Sequence, residues 1–196
     1  AYNIVAAAAT AVSLDISFSG IEEGVRRFTG VSGRMEKVSS DCDDDLMVMI
    51  DFAHTNDALR GLLEAVRPLT RGQVVTVFGC GGDRDSAKRP LMGAVAANMS
   101  DKVVLTSDNP RSEQPLDIIA DIELGLLDTK TPYVTIPDRE EAIVRAIVEA
   151  NPGDVVVIAG KGHEHYQQVG TQLFPFEDGA VARTALSRRR SSTRMG

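Results

Sequence analysis

An α/β fold, a mostly parallel sheet with helices on both faces, is predicted by three features of the sequence. Five short β-rich runs alternate with four segments of helical period. The runs are nearly continuous in apolar residues, as suits strands buried on both sides. No internal repeat points to a solenoid instead. Size and composition agree: 196 residues, 43% of them hydrophobic, with a formal net charge of -7, can bury roughly two-thirds of the unfolded surface in one domain or a little more. No apolar run reaches the roughly 18 residues of a membrane span. The opening AYNIVAAAATAV lacks the basic flank and cleavage pattern of a secretory signal, so the cytoplasm is the expected location. Cys42 and Cys80 make neither a disulfide framework nor a zinc spacing and are expected to be reduced thiols.

In chain order, residues 3–12 are rich in Ala and read as a helix. A second helix follows, in which Ser19 can cap and Glu22 stands three residues later. A short extended stretch at 34–38 and the acidic segment SSDCDDD at 39–45 place a domain boundary near 38–45, because like charges this close favour an exposed connection. Strands are expected at 46–50, 74–78, 102–106, 133–136 and 155–159, and helices at 56–66, 90–99, 115–124 and 138–150. In the last helix Ile143, Ala146, Ile147 and Ala150 share one face, as on a helix laid against a sheet. Residues 166–176 read as a hairpin turning at Gly170, and 178–187 as a closing helix. The tail from Arg188 to Gly196, RRRSSTRMG, has four arginines and no acid and is expected to be a frayed, solvated end. The rest of the chain is therefore more acidic than the whole, and it has no Trp. Neither nucleic acid nor membrane is an expected partner. The expected division is 1–40, 41–187 and 188–196, the middle part being Rossmann-like.

In such a sheet each strand-to-helix loop emerges at the carboxyl edge, where ligands bind. Four of these loops carry unusual sequences: DFAHTND at 51–57, GCGGDRDSAKR at 79–89, SDNPR at 107–111 and GKGHEH at 160–165. Arg84 stands where a dinucleotide fingerprint needs its third glycine, and no GxxxxGK[ST] loop occurs, so neither phosphate motif is present. The glycines allow close backbone approach or positive φ. Lys88 and Arg89 begin a helix, where cations oppose the macrodipole and call for a nearby anion; Asp83 and Asp85 could supply it as turn and cap residues. Pro110 stiffens the turn that presents Arg111, whose guanidinium fork suits a carboxylate; an Asx turn with Arg111 in solvent is the simpler alternative. In GKGHEH the glycines expose carbonyls and Glu164 offers a carboxylate, a pair suited to an ammonium. Arginines opposite an acid describe an amino-acid pocket.

These four motifs, in this order over residues 51–167, closely resemble the carboxy-terminal domain of the Mur ligases, in particular the members that add meso-diaminopimelate. YNIVAAAA and GVSGRME resemble the end of that family's central ATP-binding domain. The resemblance implies an ATP-dependent amide ligase of peptidoglycan synthesis. ATP would phosphorylate the D-glutamate carboxylate of UDP-MurNAc-L-Ala-D-Glu, and the amine of diaminopimelate would displace phosphate from the acyl phosphate. By position, Arg84, Asp108, Asn109, Arg111, Gly160 and Glu164 match diaminopimelate-binding positions, with Asp108 mainly shaping its loop. Asn3, Arg34, Asp51 and His54 match positions near ATP. Lys161 and His163 receive no role. The resemblance also implies Mg2+, whose ligands, like the phosphate loop and the UDP-binding domain, would lie before Ala1. No catalytic or metal-binding residue is then expected in this chain, nor ligase activity from it alone. Phe52 replaces a usual Tyr, and Asn56 a usual Pro.

Two other readings are carried. One is a free-standing Rossmann-like amino-acid or nucleotide-binding module. The other is a metal-dependent hydrolase using His54, His163 and His165.

Overall fold

A computed structural model describes residues 2–39 and 44–193, so Cys42 lies outside the described residues. The chain divides into two compact units, Ala1–Val31 and Ser32–Gly196. The first holds α1 (Tyr2–Ser13) and α2 (Phe18–Arg27). The cap of α2 is Ser17, not Ser19: Ser17 has the extended backbone a cap needs and accepts a hydrogen bond from the Gly20 N–H, while Ser19 lies inside the helix.

The second unit is built on a six-stranded sheet of β1 (Glu36–Lys37), β2 (Met47–Asp51), β3 (Val74–Phe78), β4 (Lys102–Leu105), β5 (Tyr133–Thr135) and β6 (Val155–Ala159). Their order is β1-β2-β6-β3-β4-β5; β1 runs antiparallel to β2 and every other pairing is parallel. Because β1 pairs with β2, the compact units divide at Val31/Ser32, earlier than the expected 38–45.

Alternate residues of the strands feed two cores, following the twofold period of a strand. Met49, Phe78, Leu105 and Val157 pack with α3 (Asn56–Val66), α4 (Lys88–Met99) and α5 (Pro115–Glu123). Ile50, Val77, Val104 and Ile158 pack with α6 (Arg139–Glu149) and α7 (Asp178–Thr193) on the other face. Thr55 caps α3 by accepting from Ala58 N–H, and Asp138 caps α6 by accepting from Glu141 N–H. The hairpin is β7 (Tyr166–Val169) and β8 (Gln172–Pro175), with Gly170 at φ 58 in its turn.

Helix α7 runs on through Thr193, where a frayed tail from residue 188 was expected. Arg189 donates to the carbonyls of Ile147, Val148 and Ala150 at the end of α6 and, through Nε and Nη2, to Asp45. Arg190 donates to Asp44. A guanidinium at a helix carboxyl end satisfies carbonyls that have no partner within the helix, so Arg189 is anchored there, while residues 194–196 of the expected tail lie outside the described residues. No helix among the described residues is long and apolar enough to cross a membrane.

Neighbouring strands β6 and β3 send their chains to opposite faces, β3 into α4 and β6 by way of the hairpin into α7. Such a reversal opens a crevice at the carboxyl edge.

Candidate functional site

The crevice holds a cavity of 450 Å³ whose walls include Arg84, Asp108, Asn109, Arg111, Gly160 and Glu164. All six residues matched to the amino acid therefore meet at one place, from the loops after β3, β4 and β6. His54, expected near a nucleotide, also lines it, beside Phe52 and Lys88.

Close approach, rather than positive φ, explains the glycines of GCGG. A Cβ on Gly79 would strike the Thr106 carbonyl, and one on Gly82 the Pro110 carbonyl, so the β3 loop lies directly on the β4 loop. The Gly82 N–H donates to the Asn109 carbonyl at 2.9 Å. Arg111 Nη1 donates to the Gly82 carbonyl at 2.8 Å, which orients the fork and leaves its other donors for a carboxylate. The Asx turn with Arg111 in solvent is thereby replaced by a half-buried, anchored guanidinium. Arg111 has φ 52, held there by the hairpin: its N–H donates to the Gln168 carbonyl and its own carbonyl accepts from Gly170 N–H. Arg84 is exposed and donates through Nη1 to the Asp83 carbonyl.

In the loop after β6, Gly160 and Gly162 have φ 115 and 54, the left-handed region that glycine tolerates. Asp108 Oδ1 accepts from Asn109 N–H at 2.7 Å, consistent with a loop-shaping role. Glu164 Oε2 accepts from Asn109 Nδ2 at 2.8 Å and from Lys161 Nζ at 3.0 Å. Lys161, given no role from the sequence, is fully buried. Its place two residues past the buried strand β6, three residues before an acid, was the available signal.

At the start of α4, Asp85 serves as a turn residue, but the anions that pair with Arg89 are Glu113 and Asp121. Arg89, 2% exposed, donates to Glu113 Oε1 at 2.8 Å and Asp121 Oδ2 at 2.9 Å, and Lys88 Nζ donates to the His54 carbonyl. Asp85 accepts from Ala87 N–H, and Asp83 from the N–H and hydroxyl of Ser112. Glu113 also accepts from Asp83 N–H. The Arg89 hydrogen bond holds the Glu113 carboxyl below its ordinary value, and the Ser112 hydroxyl does the same for Asp83. In the cavity wall, burial pushes the Cys80 thiol up to about 12, so it stays protonated and acts as apolar surface.

Around Phe52, the Arg34 guanidinium lies 4.9 Å from the ring centroid, and the rings of His54 and His163 lie 4.6 and 5.4 Å away. Asp51 Oδ2 accepts from the Met35 N–H at 2.8 Å, which fixes the GRME turn. Asn3 belongs to the other compact unit. His165 is directed to Glu177 at 3.5 Å, and among the described residues no three His, Cys, Asp or Glu side chains gather as for a metal ion. The three histidines do not form the cluster that a hydrolase reading needs.

A family model described as Mur ligase, glutamate ligase domain, matches residues 33–162. The chain is 53% identical over 189 residues to the UDP-N-acetylmuramoyl-L-alanyl-D-glutamate–2,6-diaminopimelate ligase of Gloeobacter violaceus, across 96% of this chain and 38% of that protein. It is 51% identical over 185 residues to the enzyme of the same name from Solibacter usitatus, across 94% and 37%. A solved structure of a protein of that name superposes with a TM-score of 0.74 at 38% identity, over 95% of this chain and 38% of that one. The chain thus spans little more than a third of the length of these relatives.

Proposed function

The chain belongs to the Mur ligases, matching their glutamate ligase domain, and on that premise we propose that its second unit binds meso-diaminopimelate for an ATP-dependent amide ligase of peptidoglycan synthesis. The observation that carries this reading is the meeting of Arg84, Arg111 and Glu164 around one cavity of 450 Å³, a size suited to a small zwitterion. The acceptor is UDP-MurNAc-L-Ala-D-Glu, and the setting is the cytoplasm.

Arg111 binds a carboxylate of the amino acid through the donors that Gly82 leaves available, and Arg84 adds a second cation at the cavity's exposed side. Glu164, from the loop after β6, receives an ammonium. Lysine lacks the second carboxylate of diaminopimelate, so in this pocket it would leave a guanidinium without its partner. Such a loss is worth several kcal/mol when the group is shielded from water. The bound amine is thereby held in one orientation for attack on an activated acyl group.

ATP supplies the phosphoryl group that activates the acceptor carboxylate. In this chain, Arg34 and His54 flank Phe52 and suit a polyanion passing the cavity mouth, whereas the Asp51 carboxylate is committed to the Met35 N–H. The described residues offer magnesium no gathered ligand set, so its chemistry is assigned to no residue here.

Calorimetric titration of the chain with meso-diaminopimelate and with lysine tests the reading. Arg111→Ala is expected to weaken diaminopimelate by roughly a hundredfold while changing lysine little. Equal weakening of both ligands, or no preference for diaminopimelate in the parent chain, would overturn it.

A further inference from the structure

Two buried polar side chains, Lys161 at 0% exposure and Asn109 at 2%, stand behind the carboxylate of Glu164. A buried ammonium is costly unless it is paired, and it carries three donors. Lys161 Nζ uses two of them on Asn109 Oδ1 at 2.9 Å and Glu164 Oε2 at 3.0 Å, and it lies 5.5 Å from the Tyr166 ring centroid. Asn109 Oδ1 also accepts from the Gln168 N–H at 2.9 Å. With two donors aimed at Oδ1, the amide has one orientation only, and its Nδ2 must point at Glu164, to which it donates at 2.8 Å. Lys161, Asn109 and Glu164 thus close a triangle of three hydrogen bonds.

Asn109 and Glu164 line the cavity and Lys161 does not. A ligand in the cavity is therefore in contact with Lys161's two partners and not with Lys161 itself. Both donors to Glu164 fall on Oε2, and Oε1 has no partner among the described residues. We propose that Lys161 is a positioning residue: from behind the wall it clamps one oxygen of Glu164, so that the other is presented to the ammonium of the bound amino acid. This rests on the proposed amino-acid-binding role of the cavity. It also accounts for a fully buried charge beside a polar pocket, since a well-packed apolar side chain there would leave Glu164 held by Asn109 alone.

The test is a double-substitution cycle on the full chain, read by calorimetric titration with meso-diaminopimelate. Lys161→Met should weaken binding about tenfold, yet add less than about twofold once Glu164→Gln is present, because the two act as one unit. Equal losses on both backgrounds would mean a merely structural lysine, and no loss on either would also overturn the proposal. A parent chain that takes up no diaminopimelate would overturn the reading of the cavity itself, a result distinct from a parent that binds and a Lys161→Met variant that binds equally well. Should Lys161→Met fail to fold, the nitrogen resonance of the Lys161 ammonium decides the matter. It should exchange slowly in the parent and shift both in Glu164→Gln and on saturation with diaminopimelate; a resonance unmoved by either overturns the coupling.

Discussion

Gly160 has φ 115, and a Cβ there would lie 2.7 Å from Asp108 Oδ2, an oxygen belonging to a residue only 8% exposed. An alanine must therefore adopt backbone angles that a side chain resists and also push into the loop carrying Asn109. Gly160→Ala is expected to destabilise the chain by about 1–3 kcal/mol, measurable as a lowered midpoint in chemical unfolding; an unchanged midpoint would contradict the packing described. Gly160 was legible as a residue of the crevice because its motif is distinctive. Arg111 was legible as a presented cation, but its φ of 52 was not, since that conformation is imposed by Gln168 and Gly170 of a hairpin more than fifty residues further on. Lys161 escaped for a related reason: its neighbours in sequence are polar and glycine-rich, which suggests an exposed loop, whereas its ammonium finds Asn109 on a different strand end.

Two elements, the loop after β3 and the loop after β4, are joined by reciprocal carboxylates. Asp83 accepts from the N–H and hydroxyl of Ser112, while Glu113 accepts from Asp83 N–H and from Arg89. Arg84 follows Asp83 and Arg111 precedes Ser112, so this joint fixes the spacing of the two arginines. The Glu113 carboxyl is held below its ordinary value by the Arg89 hydrogen bond first and by the Asp83 N–H next. A depressed carboxyl contributes stability that is fully present above its unfolded value, near pH ~4, and is lost as pH falls through its lower folded value. The stability advantage of the parent over Glu113→Gln should therefore be level at neutral pH and shrink in acid below about pH 4, as followed by urea unfolding at several pH values. An advantage that grows in acid would show that this carboxyl is not depressed in the folded chain. Strands and helices themselves were legible wherever local pattern decides them: α3, β3 and β6 begin and end at the residues their apolar period indicates. The helical course of residues 188–193 was not, because it depends on α6 carbonyls and on Asp44 and Asp45, all distant in sequence.

At the scale of the whole second unit, one ion pair ties the sheet's carboxyl edge to the helices on its far face. Arg139 and Asp178 have side chains at 0% exposure and meet through two hydrogen bonds, at 2.8 and 2.7 Å, 39 residues apart in the chain. Arg139 also donates to the carbonyls of Ser107 and Ala159, the residues just before Asp108 and Gly160. The pair thus lies beneath both walls of the cavity and at the first turn of both α6 and α7. Burial pulls the Arg139 pKa down, but the attraction and hydrogen bonds of Asp178, together with the charges of Asp108 and Glu164, raise it on balance, and the guanidinium stays charged. Nothing local marks either residue for burial, since each reads as an ordinary charge in the first turn of a helix; only the fold brings them together. Removing one partner leaves the other as an uncompensated buried charge, so Asp178→Asn is expected to cost about 3–5 kcal/mol. Replacing both, as Arg139→Met with Asp178→Leu, removes the desolvation cost together with the attraction and should recover part of that loss. Urea unfolding at neutral pH separates the cases. If the double variant is as unstable as the two singles combined, Arg139 matters chiefly for the carbonyls of Ser107 and Ala159. In that event the walls of the cavity, rather than the helices, are what the buried guanidinium holds in place.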